Sequence, residues 1–337
     1  MTTKEKVLEK LNSNQGKAIS GENLADICNV SRAAIWKAIN SLRDEGFIIK
    51  GTPKGGYLLE PESDCINSQL FSSYVISNYP QFTDINVECF KEIDSTNTYA
   101  KKLLSQGTAA KRTVIVAESQ TKGRGRLGRT FYSPMKSGIY LSAIYSPSSG
   151  ITKPAAITAF SAVAVCRAIK KIYGIEPQIK WINDIFLNSK KIGGILTEGF
   201  TNFETGLIES AVIGIGINIE NNPEEMPEDV QNIAGAIFTE KGSQNLLRCQ
   251  LAAEIASQLY LTLEEESDSV IQEYKKLSFI IGQKVQVYPV IGDEKTAYIA
   301  QAVDIDNEAN LIVELPDGSK KSLSSGEVSL KSISFVS

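Results

Sequence analysis

The chain has 337 residues, 42% of them hydrophobic and 22% charged, a composition typical of a folded protein that excludes fibrous and wholly disordered chains. It has no histidine, which excludes Ser-His-Asp and Cys-His nucleophilic sites and His-ligated zinc. The five cysteines are scattered, so we expect neither a disulfide framework nor a zinc cluster. The start of the chain is unlike a secretory signal, and no apolar run is long enough to cross a bilayer. We therefore expect a cytoplasmic protein without membrane contact.

The first 59 residues differ in charge from the remainder of the chain. They contain nine Lys or Arg and six Asp or Glu, whereas the whole chain has a formal net charge of −4. The net charge argues against nucleic-acid binding over the whole surface. A basic head on an acidic body indicates a separate module at the amino terminus.

The basic head has the pattern of a winged helix-turn-helix. Amphipathic periodicity predicts helices over residues 4–11, 21–28 and 32–45, and Ser20 and Ser31 stand where N-caps are needed. Two short strands around a Gly-rich turn at 51–56 follow as the wing. The candidate DNA-binding residues are Ser20, Ser31, Arg32, Ala33, Trp36, Lys37, Asn40, Lys50 and Lys54.

A small helical bundle that binds another protein remains the alternative interpretation of the head, because helix-turn-helix patterns are common and degenerate. Trp36 does not decide between the two, since a tryptophan on a short helix more often packs than reads bases.

The fold class is predicted to be α+β with three domains, at residues 1–62, 63–277 and 278–337. A Pro among acidic and polar residues at 60–64 marks the first boundary. The middle segment mixes strand-like runs (113–117, 139–145, 179–182, 192–197 and 211–219) with helical runs (96–106, 154–173 and 245–265), which favours a mixed sheet covered by helices. The tail has short alternating strands separated by turn signals, which predicts a small β-barrel of a size that can fold as its own unit.

A Gly-Arg loop at residues 123–129 is the most informative stretch of the middle segment. Its glycines expose backbone N–H groups and its arginines surround them with positive charge, which suits a phosphate-bearing ligand. The loop also matches G-x-G-x-x-G, but a dinucleotide or P-loop site needs a helix at the last glycine, and Pro134 with two aromatic residues predicts extended chain there. A solvated basic turn or a nucleic-acid-binding arm remains the alternative.

Five motifs in a fixed order resemble those of the biotin–protein ligases. They occupy residues 94–97, Gln120 with 123–129, 180–184, 191–196 and 214–218. With the head and the tail, the resemblance covers essentially the whole chain and is closest to the bifunctional ligases that also repress the biotin operon. It implies a class II synthetase-like central sheet and an SH3-like β-barrel tail.

The resemblance implies a two-step reaction. Biotin and ATP, with Mg²⁺, form biotinyl-5'-AMP and pyrophosphate, and the biotinyl group then passes to a lysine of the biotin carboxyl carrier protein of acetyl-CoA carboxylase. Neither step needs a histidine, because the mixed anhydride already carries the activation. It also implies that the adenylate is the corepressor and that an adenylate-bound homodimer binds operator DNA.

The resemblance also implies roles for individual residues. The biotin-binding set is Ser95, Thr96, Asn97, Gln120, Arg124, Gly125, Arg126 and Lys191. The ATP- or adenylate-binding set is Gly123, Arg124, Arg126, Arg129, Lys180, Asn183, Asp184 and Asn218, with Asp184 as a possible Mg²⁺ ligand. The catalytic set is Arg126, Lys180 and Lys191.

Several of these residues could instead have ordinary structural roles. Ser95 would be an ordinary N-cap of the helix that follows it. Lys190 competes with Lys191 for the carboxylate-binding role, and Ile195 and Leu196 could be ordinary sheet core instead of cavity wall.

The chain departs from the family pattern at two positions. The family usually has Pro where this chain has Ile182 and Trp where it has Phe131. Ile182 would extend a strand and Phe131 would keep an aromatic wall, so altered ligand affinity is the largest expected effect. Two other functions remain as alternatives: a transcription factor that senses biotin or its adenylate without transferring it, and a lipoate ligase.

Overall fold

The structure is a computed structural model of the chain. It describes residues 1–14, 16–52, 56–60, 64–147, 151, 154–201, 208–220, 231, 233–239, 247–288, 296–324 and 329–332. Within these ranges, no helix has the length and apolarity needed to cross a membrane.

The head has the three helices and the wing that its sequence predicts. The helices are α1 (Thr3–Ser13), α2 (Gly21–Cys28) and α3 (Arg32–Asp44), and the strands are β1 (Ile19–Ser20), β2 (Ile49–Gly51) and β3 (Gly56–Leu59). The strands form an antiparallel sheet in the order β1-β3-β2. The hydroxyls of Ser20 and Ser31 accept hydrogen bonds from Asn23 N and Ala34 N, which confirms both predicted N-caps.

The head buries its own hydrophobic cluster. Leu24, Ile35 and Leu42 are fully buried in it, on the faces that helical periodicity assigns to the interior. Cys65 and Leu70, which follow the head, pack against this cluster. The head therefore has a core of its own and a small contact with the chain that follows.

A seven-stranded mixed sheet forms the centre of the molecule. Its strands are β4 (Asn86–Phe90), β5 (Arg112–Ala117), β6 (Gly138–Tyr145), β7 (Gln178–Lys180), β8 (Asp184–Leu187), β9 (Lys190–Thr201) and β10 (Ile208–Asn218), in the order β4-β5-β6-β10-β9-β8-β7. Only the β4–β5 pair among them is parallel. The helices of this region are α4 (Ser68–Asn78), α5 (Thr96–Ser105), α6 (Pro154–Tyr173), α7 (Arg248–Glu264) and α8 (Ser267–Leu277). The predicted α+β fold class is confirmed.

One predicted strand ends earlier than its pattern indicates. The apolar run at 179–182 predicts a strand through Ile182, but β7 ends at Lys180 and the next residues form a turn. Ile182 is buried, and its carbonyl accepts a hydrogen bond from the Tyr274 hydroxyl at 3.1 Å. Its hydrophobicity therefore reflects burial beneath α8 and not strand pairing. The predicted helix at 245–265 begins at Arg248, and its first residues lie outside the described ranges.

The tail is a five-stranded antiparallel sheet. Its strands are β11 (Lys284–Tyr288), β12 (Tyr298–Ile305), β13 (Leu311–Glu314), β14 (Lys320–Leu323) and β15 (Ser329–Ser332), in the order β14-β13-β12-β11-β15. The predicted turns at 306–307 and 316–318 connect β12 to β13 and β13 to β14, whereas the one at 292–293 lies outside the described residues.

The tail shares the core of the central sheet. Val285 and Leu311 belong to the same buried cluster as Val163 of α6. The indole Nε1 of Trp181 donates a hydrogen bond of 2.7 Å to the Ala309 carbonyl in the tail. The tail thus differs from the self-contained unit that its length predicts, because part of its apolar surface is covered by the central region.

Arg248, at the start of α7, is a buried arginine bonded to two carboxylates. It has no solvent exposure, its Nε pairs with the Asp64 carboxylate, and its Nη1 lies 2.7 Å from Glu118 Oε2. Its Nη2 also donates to the backbone carbonyl of Asp64 at 2.8 Å. The other Glu118 oxygen accepts from Ile66 N at 2.9 Å. This Arg248 cluster attaches the chain that leaves the head to the end of β5.

Candidate functional site

A cavity of about 600 Å³ lies over the central sheet. This volume is in the range of small-molecule binding sites. Twelve of the fourteen ligand-binding residues expected from the sequence line it: Ser95, Thr96, Asn97, Gln120, Arg124, Gly125, Arg126, Arg129, Lys180, Asn183, Asp184 and Lys191. Gly123 and Asn218 are not among the lining residues. Sequence motifs that are almost 100 residues apart therefore meet at one site.

The polar end of the cavity is formed where α5 begins. Thr96 N donates to Gln120 Oε1 at 2.9 Å, and the Thr96 hydroxyl lies 3.2 Å from the same oxygen. Ser95 is the N-cap of α5, with its hydroxyl 3.5 Å from Thr98 N, so the capping interpretation describes a real contact. Because Ser95 also lines the cavity, capping and ligand contact are compatible.

A hydrogen-bond network behind this wall includes two residues that the sequence did not identify. The Ser142 hydroxyl in β6 lies 2.7 Å from Thr96 Oγ1 and 2.6 Å from Asn97 Oδ1. Asn97 Nδ2 donates to Glu198 Oε2 at 2.8 Å. Ser142 had a detectable signal, since it is a lone hydroxyl in an apolar strand. Glu198 had no local signal, because its partners lie about 100 residues away.

Two glycines of β10 give the cavity its shape. A Cβ on Gly214 would lie 2.3 Å from Asn97 Oδ1, and a Cβ on Gly216 would lie 2.5 Å from the Phe131 ring. Both positions therefore require glycine to leave room for these side chains. Phe131 lines the cavity and forms an edge contact with Tyr140, as expected for an aromatic wall.

Residues of β9 contribute to the apolar part of the cavity wall. Gly194, Ile195 and Leu196 line the cavity. Gly193 does not, and a Cβ there would lie 2.5 Å from Ile217 Cδ1. Gly193 thus serves the packing of β9 on β10, and close approach to the ligand is left to Gly194.

The Gly-Arg loop has a defined backbone conformation. Gly125 N donates to the Arg129 carbonyl at 2.7 Å, and Phe131 N donates to the Gly123 carbonyl at 3.0 Å. A Cβ on Gly123 would lie 2.3 Å from the Phe131 carbonyl, so Gly123 supports the fold of the loop instead of lining the cavity. After Gly128 the chain is extended at Arg129, which confirms that this is not a P-loop or dinucleotide fingerprint.

Positive side chains of the other cavity end contact polar neighbours. Arg126 Nη1 donates to Asn183 Oδ1 at 2.7 Å, and Lys191 Nζ lies 2.6 Å from Asp184 Oδ1. Lys180 Nζ lies 5.8 Å from the centre of the Phe186 ring. Burial lowers the pKa of Arg126 from its ordinary value, while the charge of Asp184 acts in the opposite direction. The site thus has cations ready to exchange these neighbours for an anionic ligand.

The turn between β8 and β9 aims Lys191 into the cavity. Asn188 and Ser189 have φ values of 49° and 61°, as a tight two-residue hairpin requires. Lys191 lines the cavity, whereas its competitor Lys190 does not. The geometry therefore favours Lys191 for the carboxylate-binding role.

Asp184 is a single carboxylate and not a preformed metal site. Its Oδ1 is bonded by Lys191 and by Asn183 Nδ2 at 2.6 and 3.0 Å. In the described ranges there is no group of three or more Cys, Asp or Glu placed to hold a metal ion. One carboxylate fits a Mg²⁺ ion that arrives with nucleotide phosphates, because such ions keep most of their ligands from water and phosphate.

One residue that was predicted to bind the ligand, Asn218, does not line the cavity, whereas a residue of the tail that was not predicted does. The side chain of Asn218 donates to the Gly235 carbonyl at 2.9 Å and is absent from the cavity wall, so its role in binding ATP or the adenylate stays a prediction. Tyr288, at the end of β11 in the tail, does line the cavity. No sequence motif pointed to it, because it comes from another region of the chain.

The face of α3 that the helix-turn-helix pattern assigns to DNA is exposed. Arg32, Ala33 and Lys37 are exposed, Trp36 has 58% of its surface accessible, and Asn40 is half-buried. Trp36 is therefore not part of the core of the head, and its contact with DNA stays a prediction. Ser20 and Ser31 are exposed, and exposed Lys50 in β2 lies 3.0 Å from Glu60, while Lys54 lies outside the described ranges.

Three family models match the chain in the order of its three regions. The HTH domain model matches residues 3–58, the Biotin/lipoate A/B protein ligase family model matches 89–218, and the Biotin protein ligase C terminal domain model matches 280–331. Together with the cavity, they define the class of biotin protein ligases that have a helix-turn-helix head.

Relatives align over nearly the full length. The chain is 30% identical to the bifunctional ligase/repressor BirA of Bacillus subtilis over 95% of this chain and 96% of the relative. It is 33% identical to the protein of the same name from Salmonella typhimurium, over 94% of both chains. The chain belongs to the family of the bifunctional ligase/repressor BirA.

A solved structure supports the same assignment. The biotin protein ligase from Aquifex aeolicus, in complex with biotin and ATP, superposes with a TM-score of 0.60 at 25% identity. The match covers 73% of this chain and 99% of the other.

Proposed function

We propose that this protein is a biotin–[acetyl-CoA-carboxylase] ligase that also represses transcription of the biotin operon. As a ligase it uses biotin and ATP as substrates, and its acceptor is a lysine of a biotin carboxyl carrier protein. As a repressor it binds operator DNA through α3 and the wing. The observation that carries the ligase function is the cavity over the central sheet, which combines a hydrogen-bonding end formed by Thr96 and Gln120 with a cluster of cations.

The sheet register orders the two ends of the cavity. Gly214 of β10 pairs with Leu196 of β9, and Gly194 of β9 pairs with Asp184 of β8. Neighbouring strands are about 4.8 Å apart, so a ligand lying across these strands reaches from the polar end to the cations. Biotin has a ureido head that needs hydrogen bonds and a carboxylate at the far end of an apolar chain. Its head would bind at Thr96 and Gln120 and its carboxylate near Lys191.

In the first step a carboxylate oxygen of biotin attacks the α-phosphorus of ATP, and pyrophosphate leaves. Lys191 would release Asp184 to contact the biotin carboxylate, and Arg126 and Lys180 would stabilise the charge that develops on the phosphates. Mg²⁺ bound to the ATP phosphates would supply further charge neutralisation, with Asp184 as its protein contact.

In the second step the amine of the acceptor lysine attacks the acyl carbon of the adenylate, and AMP leaves. The Gly-Arg loop would cover the anhydride and exclude water, which otherwise hydrolyses it. Arg126, which bridges the loop to Asn183, is the residue best placed to hold the loop in that position.

The protein would also form a dimer through its central sheet. The β8 side of β9 is paired only from Lys190 to Gly194, and from Leu196 to Thr201 no strand pairs with it within the described ranges. A free strand edge of this length can pair with a second copy of the chain. The adenylate-bound homodimer would present two heads to the operator in the cytoplasm. The three proposed domains are 1–62, 63–277 and 278–337, the last two joined by a shared core.

Exchange of labelled pyrophosphate into ATP tests the first step without any acceptor. We expect exchange that depends on biotin at millimolar Mg²⁺, followed by a labelled carrier protein when a lysate and labelled biotin are added. Biotin binding without exchange would contradict the ligase function and leave a sensor. Exchange that depends on lipoate in place of biotin would indicate a lipoate ligase.

A further inference from the structure

The polar end of the cavity is hydrogen-bonded to the carboxylate of Glu198, which does not itself line the cavity. Glu198 of β9 accepts from Asn97 Nδ2 at 2.8 Å and from Lys101 Nζ at 2.9 Å, and Arg124 Nη1 lies 4.0 Å away. Although partial burial alone would raise the pKa of Glu198, the bonds from Lys101 and Asn97 hold it below the ordinary value. Glu198 is therefore ionised at neutral pH and can only accept hydrogen bonds.

We propose that Glu198 is a positioning residue that sets the direction of the hydrogen bonds at the polar end, so that Thr96 presents an acceptor to an N–H group of the ligand. This inference rests on the proposed function, because it explains how the cavity recognises the ureido N–H of biotin. Nothing in the family motifs assigns this role to Glu198.

Glu198 fixes the orientation of the Asn97 side-chain amide. Since Glu198 only accepts, Asn97 must turn its NH₂ group toward it, and the Leu196 carbonyl at 3.4 Å accepts from the same nitrogen. The Asn97 carbonyl oxygen then points to Ser142, 2.6 Å away. Gly214 makes this orientation possible, because a Cβ there would lie 2.3 Å from that oxygen.

The orientation of the Asn97 amide in turn decides where the hydroxyl proton of Ser142 goes. Ser142 has one hydroxyl proton, and the Asn97 oxygen can only accept, so Ser142 donates to Asn97. Ser142 Oγ also lies 2.7 Å from Thr96 Oγ1 and could donate to it, but its proton is then committed to Asn97. The hydroxyl of Thr96 donates its own proton to Gln120 Oε1 at 3.2 Å. Thr96 is therefore left with a lone pair for the ligand.

The direction would reverse if the amide of Asn97 were turned over. Its NH₂ group would donate to Ser142, and Ser142 would donate to Thr96 at 2.7 Å. That lone pair of Thr96 would then be occupied, and the site would offer one acceptor fewer to an N–H group of the ligand. Burial makes the choice matter, since Thr96, Asn97 and Ser142 are all at most 4% exposed and water cannot supply a missing partner.

Equilibrium binding of biotin to the full chain without ATP tests the inference. Biotin is compared with two analogues that each have one ureido N–H replaced by N–CH₃, in the natural protein and in Glu198→Ala and Glu198→Gln. We expect Glu198→Ala to weaken biotin binding about tenfold, the scale of one buried hydrogen bond. The binding of at least one methylated analogue should weaken by much less, so that the ratio of the affinities for biotin and for this analogue becomes smaller.

Glu198→Gln keeps an oxygen that can accept from Asn97 and is expected to retain more of this preference than Glu198→Ala. The Glu198→Gln variant also tests the inference if the alanine variant does not fold. The matched control is Glu88→Ala, which removes a carboxylate that accepts from the Tyr99 hydroxyl on another face of α5, at 2.9 Å. This control should leave the preference unchanged.

An equal loss for biotin and for both analogues would overturn the inference, because it would assign Glu198 a merely structural role. Unchanged biotin affinity in Glu198→Ala would overturn it as well. Failure of the proposed function gives a different result, since the natural protein would then bind no biotin at all.

Discussion

Replacing Arg248 with methionine should destabilise the central region by about 3 kcal/mol. Methionine fills much of the same volume but leaves the carboxylates of Asp64 and Glu118 without their cation. Removing one partner of a buried ion pair costs about 3–5 kcal/mol. The two carboxylates are 12% and 14% exposed, so some water can reach them, and we expect the lower end of that range.

Tryptophan fluorescence in urea can measure this change. The chain has two tryptophans, and in a Trp36→Phe background only the buried Trp181 reports, so unfolding of the head does not contribute. With an m value of about 3 kcal/mol per molar, the midpoint should fall by about 1 M.

Arg167→Met is the matched control, because Arg167 also pairs with two carboxylates, Glu265 and Glu273, but is 24% exposed. It should cost about 1 kcal/mol or less. Adding Asp64→Asn and Glu118→Gln to Arg248→Met should recover part of the stability, since no charge then remains unpaired. Equal losses for the two methionine variants, or no recovery, would refute the assignment of the cost to unpaired buried charges.

Three further predictions use other parts of the molecule. Arg126→Gly should lower the free energy of unfolding by only about 1 kcal/mol. The variant should release the adenylate at least about tenfold faster, so that protein lysines become biotinylated less selectively. An unchanged rate of adenylate release would contradict the role of the loop. Deletion of residues 1–60 should abolish operator binding and leave pyrophosphate exchange measurable, because the head has its own core; retained operator affinity would contradict the assignment of the head. Burial alone would raise the pKa of Glu254, but several hydrogen bonds, of which the one from Tyr79 has the largest effect, hold the pKa below its ordinary value. The stabilisation that the ionised Glu254 gives the folded protein should therefore be complete at neutral pH. It should disappear as the pH falls through the lowered pKa. Glu254→Gln should therefore flatten the acid limb of a plot of midpoint against pH.

Local patterns predicted the parts of the molecule that local physics determines. Ser31 is followed by an amphipathic run, and capping together with periodicity sets the start and the buried face of α3. The Gly-Arg loop was found because its residue types are unusual over a few positions, whereas Lys191 was found through the resemblance of its motif to the biotin–protein ligases. At the start and the buried face of α3, where the neighbours in sequence are also the neighbours in space, the prediction was confirmed.

Contacts between residues that are far apart in the chain could not be predicted from the sequence. Asp64 and Arg248 are 184 positions apart, and each has an unremarkable local context. Glu198 looks like a solvent-facing residue of a strand until α5 is placed beside it. Tyr288 reaches the cavity only because the tail docks on the central sheet. Such contacts depend on the complete topology, which single-sequence patterns do not provide.

The glycines of β10 have a consequence for local opening of the sheet. Gly214 and Gly216 leave space for Asn97 and Phe131, but glycine weakens a strand because it contributes no side-chain packing and loses more chain entropy on folding. A ligand in the cavity would supply the contacts that the missing side chains cannot. Amide hydrogens of this part of β10 should therefore exchange with solvent more slowly once the cavity is filled, so that the strand becomes a built-in reporter of occupancy.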